Sequence, residues 1–166
     1  MTSEPRKVLV RDVMTKKVIS VSSDTSIFEA AKIISEHNFD GLPVIDENNH
    51  LIGIVTEYDL MTRTSTVDVS FMEKILNDVY GKKNDQASNE VDAKEISALK
   101  VSDIMNKEPL TLRDDSKFED VIAVFVAHHR VNPIPIVNSD NQVVGIISRF
   151  DILRPFNLLG YSKHKK

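Results

Sequence analysis

The chain has 166 residues, 41% of them hydrophobic and 28% charged, with no cysteine and no tryptophan. That is the composition of a globular chain of one domain or two small packed halves, and it excludes disulfides, thiolate metal sites and cysteine nucleophiles. With 21 Lys and Arg against 25 Asp and Glu, the net charge of −4 argues against nonspecific nucleic-acid binding, which depends on neutralising phosphates.

Met1 to Arg11 is polar and shows no apolar signal core. A short β-rich piece is predicted at Val18 to Val21. Ile27, Ala30, Ala31 and Ile34 then follow the i, i+3, i+4, i+7 stripe of an amphipathic helix, with Thr25 or Ser26 as its cap and Ser26-x-x-Glu29 as a capping box. Two short strands, Leu42 to Ile45 and Leu51 to Val55, flank the turn-forming Asp46-Glu47-Asn48-Asn49-His50, and a second helix starts at Glu57. Phe71, Met72, Ile75, Leu76 and Val79 share one helical face, which predicts a helix near residues 70–80. The polar, unpatterned residues 81–92 are predicted to form a mobile loop.

The same order then returns. A β piece at Leu110 to Leu112 precedes a helix carrying Phe118, Val121, Ile122 and Phe125, with Ser116 as its cap and Ser116-x-x-Glu119 as a capping box. Strands at Ile134 to Val137 and Val143 to Ile147 surround Asn138-Ser139-Asp140-Asn141, and a helix starts at Arg149. The basic end of the chain, Lys163-His164-Lys165-Lys166, reads as a frayed terminus. The longest apolar run, Val121 to Ala127, is far shorter than the roughly 20 residues of a membrane helix. A cytoplasmic protein with neither membrane nor nucleic acid as a partner is therefore expected.

The recurrence is an internal repeat. Val13-Met14-Thr15 returns as Ile104-Met105-Asn106, displaced by 91. Leu42-Pro43-Val44-Ile45-Asp46 returns as Ile134-Pro135-Ile136-Val137-Asn138, displaced by 92. Gly53-Ile54-Val55-Thr56-Glu57-Tyr58-Asp59-Leu60 returns as Gly145-Ile146-Ile147-Ser148-Arg149-Phe150-Asp151-Ile152, also by 92. One residue has thus been inserted near Arg130 to Pro133. The chain divides into a first repeat over 7–62, a connecting segment over 63–99, a second repeat over 100–158 and a tail over 159–166. The repeated unit is β-α-β-β-α, an α/β class. Met14 and Met105 fall at matching positions and are expected in the core or between the repeats.

Thr56 and Ser148 end a strand where a helix begins. Free backbone N–H groups there, with the hydroxyl, make a seat for a phosphate oxygen. Asp59 and Asp151 lie within the first helical turn, where a carboxylate can accept hydrogen bonds from two neighbouring ribose hydroxyls. The same spacing is that of a capping box, and the two roles are compatible. No nucleophile elbow, Walker A loop or Rossmann glycine loop occurs, so no catalytic residue is assigned. His128 and His129 are adjacent, so their rings diverge by about 100° on a helix and no metal site is expected.

Taken in order and in duplicate, the Leu-Pro-Val-Ile-Asp segment, the Gly-Ile-Val-Thr-Glu-Tyr-Asp-Leu segment and the Met-Thr or Met-Asn start resemble the CBS (cystathionine β-synthase) domain. The two copies together resemble a CBS domain pair over residues 7–154. The resemblance implies an α/β (α+β) fold of two tandem βαββα repeats packed with pseudo-twofold symmetry, with clefts that hold adenosine-containing ligands. It places ribose and phosphate recognition on Thr56 with Asp59 and on Ser148 with Asp151. Base recognition falls on Val18, Ile19 and Ser20, and on Pro109, Leu110 and Thr111. Family members often carry a basic residue just before the Leu-Pro-Val strand, where this chain has Gly41 and Pro133, which argues against a triphosphate. Arg149 beside Ser148, with His128, His129 and Arg130 upstream, is a more basic setting than Glu57 and Asp40 near Thr56. The Ser148/Asp151 side is therefore expected to bind the phosphorylated ligand better, with Arg130 and Arg149 contributing.

The implied function is a non-catalytic regulatory module. Its regulatory ligand would be an adenine nucleotide (AMP, ADP or ATP) or S-adenosylmethionine; no cofactor is required. A homodimer and a separate effector protein are the expected partners. The alternative is a homodimerising assembly module with vestigial clefts. A small enzyme is disfavoured because no nucleophile, base and oxyanion donors converge.

Overall fold

The computed structural model describes residues 7–63 and 99–158; the helix predicted near 70–80, the loop predicted over 81–92 and the basic tail lie outside the described residues. In chain order the elements are α1 (Val10–Val13), α2 (Ile27–His37), β1 (Gly41–Ile45), β2 (Leu51–Thr56), α3 (Glu57–Arg63), α4 (Val101–Ile104), β3 (Leu112–Arg113), α5 (Phe118–Ala127), β4 (Ile134–Val137), β5 (Val143–Ile147) and α6 (Arg149–Leu158). β1 pairs with β2 and β4 with β5, both antiparallel, and β3 lies parallel to β4. Val21 bridges Val44 in parallel, as β3 does β4. The predicted β pieces are thus shorter than expected. Val18 to Ser20 and Pro109 to Thr111 lie outside the strands.

Local chemistry sets the helix starts. Ser26 Oγ accepts from Glu29 N at 3.1 Å, the expected cap of α2. In α5 the cap moves one residue on: Asp120 Oδ2 accepts from Lys117 N at 3.0 Å, and Ser116 N is turned to Arg113 O at 3.1 Å. The one-turn helices α1 and α4 were not expected. Each is closed by a carboxylate that reaches back, Asp12 to Leu9 N at 3.0 Å and Asp103 to Lys100 N at 2.8 Å.

These one-turn helices carry the two repeats into each other. Val101, Ile104 and Met105 belong to the core of Val21, Ile27, Ala30, Ile34, Leu42, Val44 and Val55, so the second repeat's opening segment completes the first repeat's core. Val10, with Val13 and Met14 packed beside it, joins Val121, Ile134, Ile136 and Ile147. Backbone bonds fix the exchange. Ile54 N and Asn106 N each donate to the other's carbonyl at 3.0 and 2.9 Å, and Ile146 and Thr15 do the same at 2.9 Å. Fully burying each aliphatic side chain in these cores contributes roughly 1.5–3 kcal/mol.

Gly53 in β2 and Gly145 in β5 make the close approach possible. A Cβ on Gly53 would lie 2.8 Å from Met105 Sδ and 2.9 Å from the Asn106 carbonyl oxygen. The three atoms nearest to a Cβ on Gly145 all belong to the Met14 side chain, its Sδ, Cγ and Cε. A second seam joins the hairpin tips. Leu51 N donates to Asn141 O at 3.0 Å, and Val143 N to Asn49 O at 3.1 Å. Asn49 and Asn141 both take left-handed backbone, with φ of 65° and 60°. Their side-chain amides donate across the seam to Val143 O at 3.0 Å and Leu51 O at 3.1 Å. Beneath it, Leu51, Val137 and Val143 form a small shared cluster with Val18 and Ile45 against it.

Two predictions follow from these contacts. Gly53→Ala should destabilise by about 1–3 kcal/mol in urea unfolding, and by more than Gly145→Ala, because a backbone carbonyl yields less than a methionine side chain. Equal costs at the two glycines would count against the asymmetry. The second concerns the first hairpin turn, where Asp46 Oδ1 accepts from Asn48 N at 2.9 Å and His50 N at 2.8 Å, and Oδ2 lies 3.0 Å from His50 Nδ1. The hydrogen bond to the His50 side chain, then that from its backbone, holds the Asp46 carboxyl below its ordinary value of 3.8. A depressed folded value gives stability that is complete above the unfolded value and lost as pH falls through the folded one. Asn138 builds the matching turn without charge, accepting from Asp140 N at 3.0 Å and Gln142 N at 2.9 Å. Asp46→Asn should therefore fold and show a flatter stability–pH profile than wild type below about pH 4.

Candidate functional site

Asp59 and Asp151 are the buried charged side chains among the described residues, 8% and 5% exposed. Each stands where a strand passes directly into a helix, β2 into α3 and β5 into α6. Asp59 Oδ2 accepts from Thr56 N at 3.0 Å and Thr56 Oγ1 at 2.7 Å. Asp151 Oδ2 accepts from Ser148 N at 2.8 Å and Ser148 Oγ at 2.9 Å. Asp151 Oδ1 accepts from Thr15 Oγ1 at 3.0 Å and pairs with the Arg154 guanidinium. Burial of these carboxylates is tolerated because hydrogen bonds replace the lost water.

Two cavities open beside these motifs, and each takes its walls from both repeats. The larger, of about 490 Å³, joins Ser148 and Asp151 to Thr15, Lys17 and Ile19 of the first repeat. The smaller, of about 180 Å³, joins Thr56 and Asp59 to Asn106, Pro109 and Leu110 of the second. Of the residues expected at the base, Ile19, Pro109 and Leu110 line cavities. Val18 packs against the hairpin seam, and Ser20 and Thr111 line neither cavity. Gly41 lines the larger cavity and Pro133 lines both.

The exchange redistributes the charges expected from sequence. Arg130 belongs to the smaller cavity, beside Thr56 and Asp59, rather than with Ser148. Arg149 lines neither cavity; its guanidinium turns to the His129 and Val131 carbonyls and stands 5.4 Å over the Phe125 ring. The larger cavity instead receives Lys17 and Arg154 as its cations and Asp40 as a second carboxylate. His37 and Phe39, stacked with ring centroids 5.0 Å apart, form part of its wall. Glu57 N donates to Asp40 O at 3.2 Å. Burial pushes the Glu57 carboxyl above its usual range, and the Asp40 and Asp59 carboxylates add to the effect.

Lys17, His37 and Arg154 were not singled out from sequence. Arg154 stands three residues after Asp151 on α6, the one local signal that could have drawn attention to it. Among the described residues, no group of three or more His, Asp or Glu could hold a metal ion, and no helix is long and apolar enough to cross a membrane.

Comparison with known proteins places this architecture. CBSX1, a chloroplastic CBS domain-containing protein of Arabidopsis thaliana, is 30% identical over 92% of this chain and 66% of its own length. An L-aspartate semialdehyde sulfurtransferase of Methanocaldococcus jannaschii is 29% identical over 89% of the chain, which spans only 23% of that enzyme. Among solved structures, CBSX2 in complex with AMP superposes with a TM-score of 0.64 at 28% identity, covering 91% of this chain and 97% of CBSX2. The CBS domain pair of protein MJ0100, in complex with 5′-methylthioadenosine and S-adenosyl-L-methionine, gives 0.65 at 27% identity, covering 90% of this chain and 99% of that one. The CBS domain family model matches residues 10–65 and again residues 101–157. With two matched repeats packed as a tandem pair, this chain belongs to the CBS domain family.

Proposed function

We propose that the chain is a non-catalytic regulatory module that takes one adenosine-containing ligand in the larger cavity. The observation that carries this reading is the buried Asp151 beside Ser148 in a cavity of about 490 Å³. That volume falls within the range of roughly 300–1,000 Å³ usual for small-molecule sites, whereas the 180 Å³ beside Asp59 lies below it. The AMP complex of CBSX2 and the S-adenosyl-L-methionine complex of the MJ0100 pair support an adenosyl ligand. The proposed preference for the Ser148 side rests on cavity size and on Lys17 and Arg154, not on Arg130 or Arg149.

The mechanism is population shift. Lys17 and Ile19 follow directly on Met14 and Thr15, which pack on the second repeat. A ligand touching both walls favours whichever repeat–repeat arrangement it fits better, by its difference in affinity and no more. In a thermal-shift series with AMP, ADP, ATP and S-adenosylmethionine, a ligand at 100 times its Kd should stabilise by about 2.7 kcal/mol, a rise of roughly 5–10 °C. Asp151→Asn should abolish that rise and Asp59→Asn should keep it. No rise with any of these ligands in wild type would overturn the reading, and loss in Asp59→Asn alone would move it to the other cavity.

A specific surface favours self-association as a second reading. Tyr58 and Met61 on α3, and Phe150 and Leu153 at the matching positions on α6, are large apolar side chains each more than half exposed. Two such faces related by the repeat suit a second copy of the chain. Light scattering should return twice the monomer mass for wild type and a lower mass for Tyr58→Glu combined with Phe150→Glu.

A further inference from the structure

Arg154 is held in an unusual place for a cation. Its guanidinium donates to Thr15 Oγ1 at 3.1 Å and pairs with Asp151 Oδ1, while its side chain remains 47% exposed. Asp151 Oδ2 is committed to the Ser148 N–H and hydroxyl, so Oδ1, which holds Thr15 and Arg154, is the oxygen an entering group competes for. At the matching position on α3 stands Thr62, whose hydroxyl donates to Tyr58 O at 2.7 Å. The arginine therefore belongs to the larger cavity alone.

We infer that Arg154 makes this cavity select an anionic adenosyl ligand, a nucleoside monophosphate, over a neutral or cationic one; the inference rests on the adenosyl reading above. Ribose hydroxyls that donate to Asp151 Oδ1 compete with Arg154 for it. The Arg154 end of the pair is half exposed, so the guanidinium can turn into solvent once the buried Asp151 has another donor. The displaced guanidinium keeps Thr15 Oγ1 and water as acceptors but loses its anionic partner, and a phosphate group supplies a new one in the fork geometry that arginine fits best. The cavity's charged side chains balance, Lys17 and Arg154 against Asp40 and Asp151. The preference thus comes from which group the ligand leaves unpaired, not from net charge. Adenosine takes Asp151 from Arg154 and returns nothing. S-adenosylmethionine places a sulfonium at the 5′ position, which Arg154 and Lys17 repel, and its carboxylate lies farther along the methionyl chain than a 5′-phosphate would.

Isothermal titration of wild type and Arg154→Gln with AMP, adenosine and S-adenosylmethionine tests this. Wild type should bind AMP at least about tenfold more tightly than adenosine or S-adenosylmethionine. Arg154→Gln should weaken AMP by about tenfold while leaving adenosine unchanged or tighter, and Arg154→Lys should recover part of the difference. An unchanged ratio of AMP to adenosine, or parallel losses for both, would overturn the role of Arg154 while leaving the adenosyl site in place. Wild type binding none of the three would overturn the adenosyl reading itself, and the role of Arg154 with it.

Discussion

A methionine from each repeat lies against a glycine in the second strand of the other repeat's hairpin, and both cavities depend on that exchange. Met105 packs at Gly53 and Met14 at Gly145, with a pair of backbone bonds beside each contact. Three to five residues after these methionines come Lys17 and Ile19 on one side, and Pro109 and Leu110 on the other. The apolar burial that completes each core therefore also sets a cavity wall. Core packing and cavity shape draw on the same few residues, so a substitution at either methionine acts on both.

The paired carboxylates show a similar economy. Asp59 and Asp151 close the N-termini of α3 and α6 through one oxygen, as helix caps do. Capping holds the carboxylate in place at the cavity edge, with its rotamer fixed before anything arrives. Preorganisation of this kind lowers the ordering cost of binding. On the proposed reading, the structural and the recognition roles of the motif fall to different atoms of one side chain.

Much of this was legible in the sequence because it is local. The repeat, the stripe of Ile27, Ala30 and Ile34, and the Thr-x-x-Asp and Ser-x-x-Asp turns each depend on neighbours within one element or one turn. Which opening segment packs on which repeat was not legible. Two identical units can close on themselves or exchange their first segments, and both arrangements leave the same one-dimensional pattern. Arg130 was accordingly grouped with Ser148 by proximity along the chain, whereas the exchange seats it beside Asp59. The turns α1 and α4 escaped for a different reason: four residues are too few to show a helical period. Lys17 and Arg154 acquire their setting only when the two repeats are brought together.

The unequal cavities bear on the shape of any response. Duplication ordinarily supplies two equivalent seats and, with them, a route to cooperativity inside one chain. Here the insertion near Arg130 to Pro133 falls in the wall of the smaller cavity, which Val131, Asn132 and Pro133 line. On the proposed reading of one ligand in the larger cavity, a single chain titrates along a hyperbola, graded over about two decades of ligand concentration. Any steeper dose–response has to be generated between chains, which makes the degree of assembly, rather than the fold of the monomer, the setting for sensitivity.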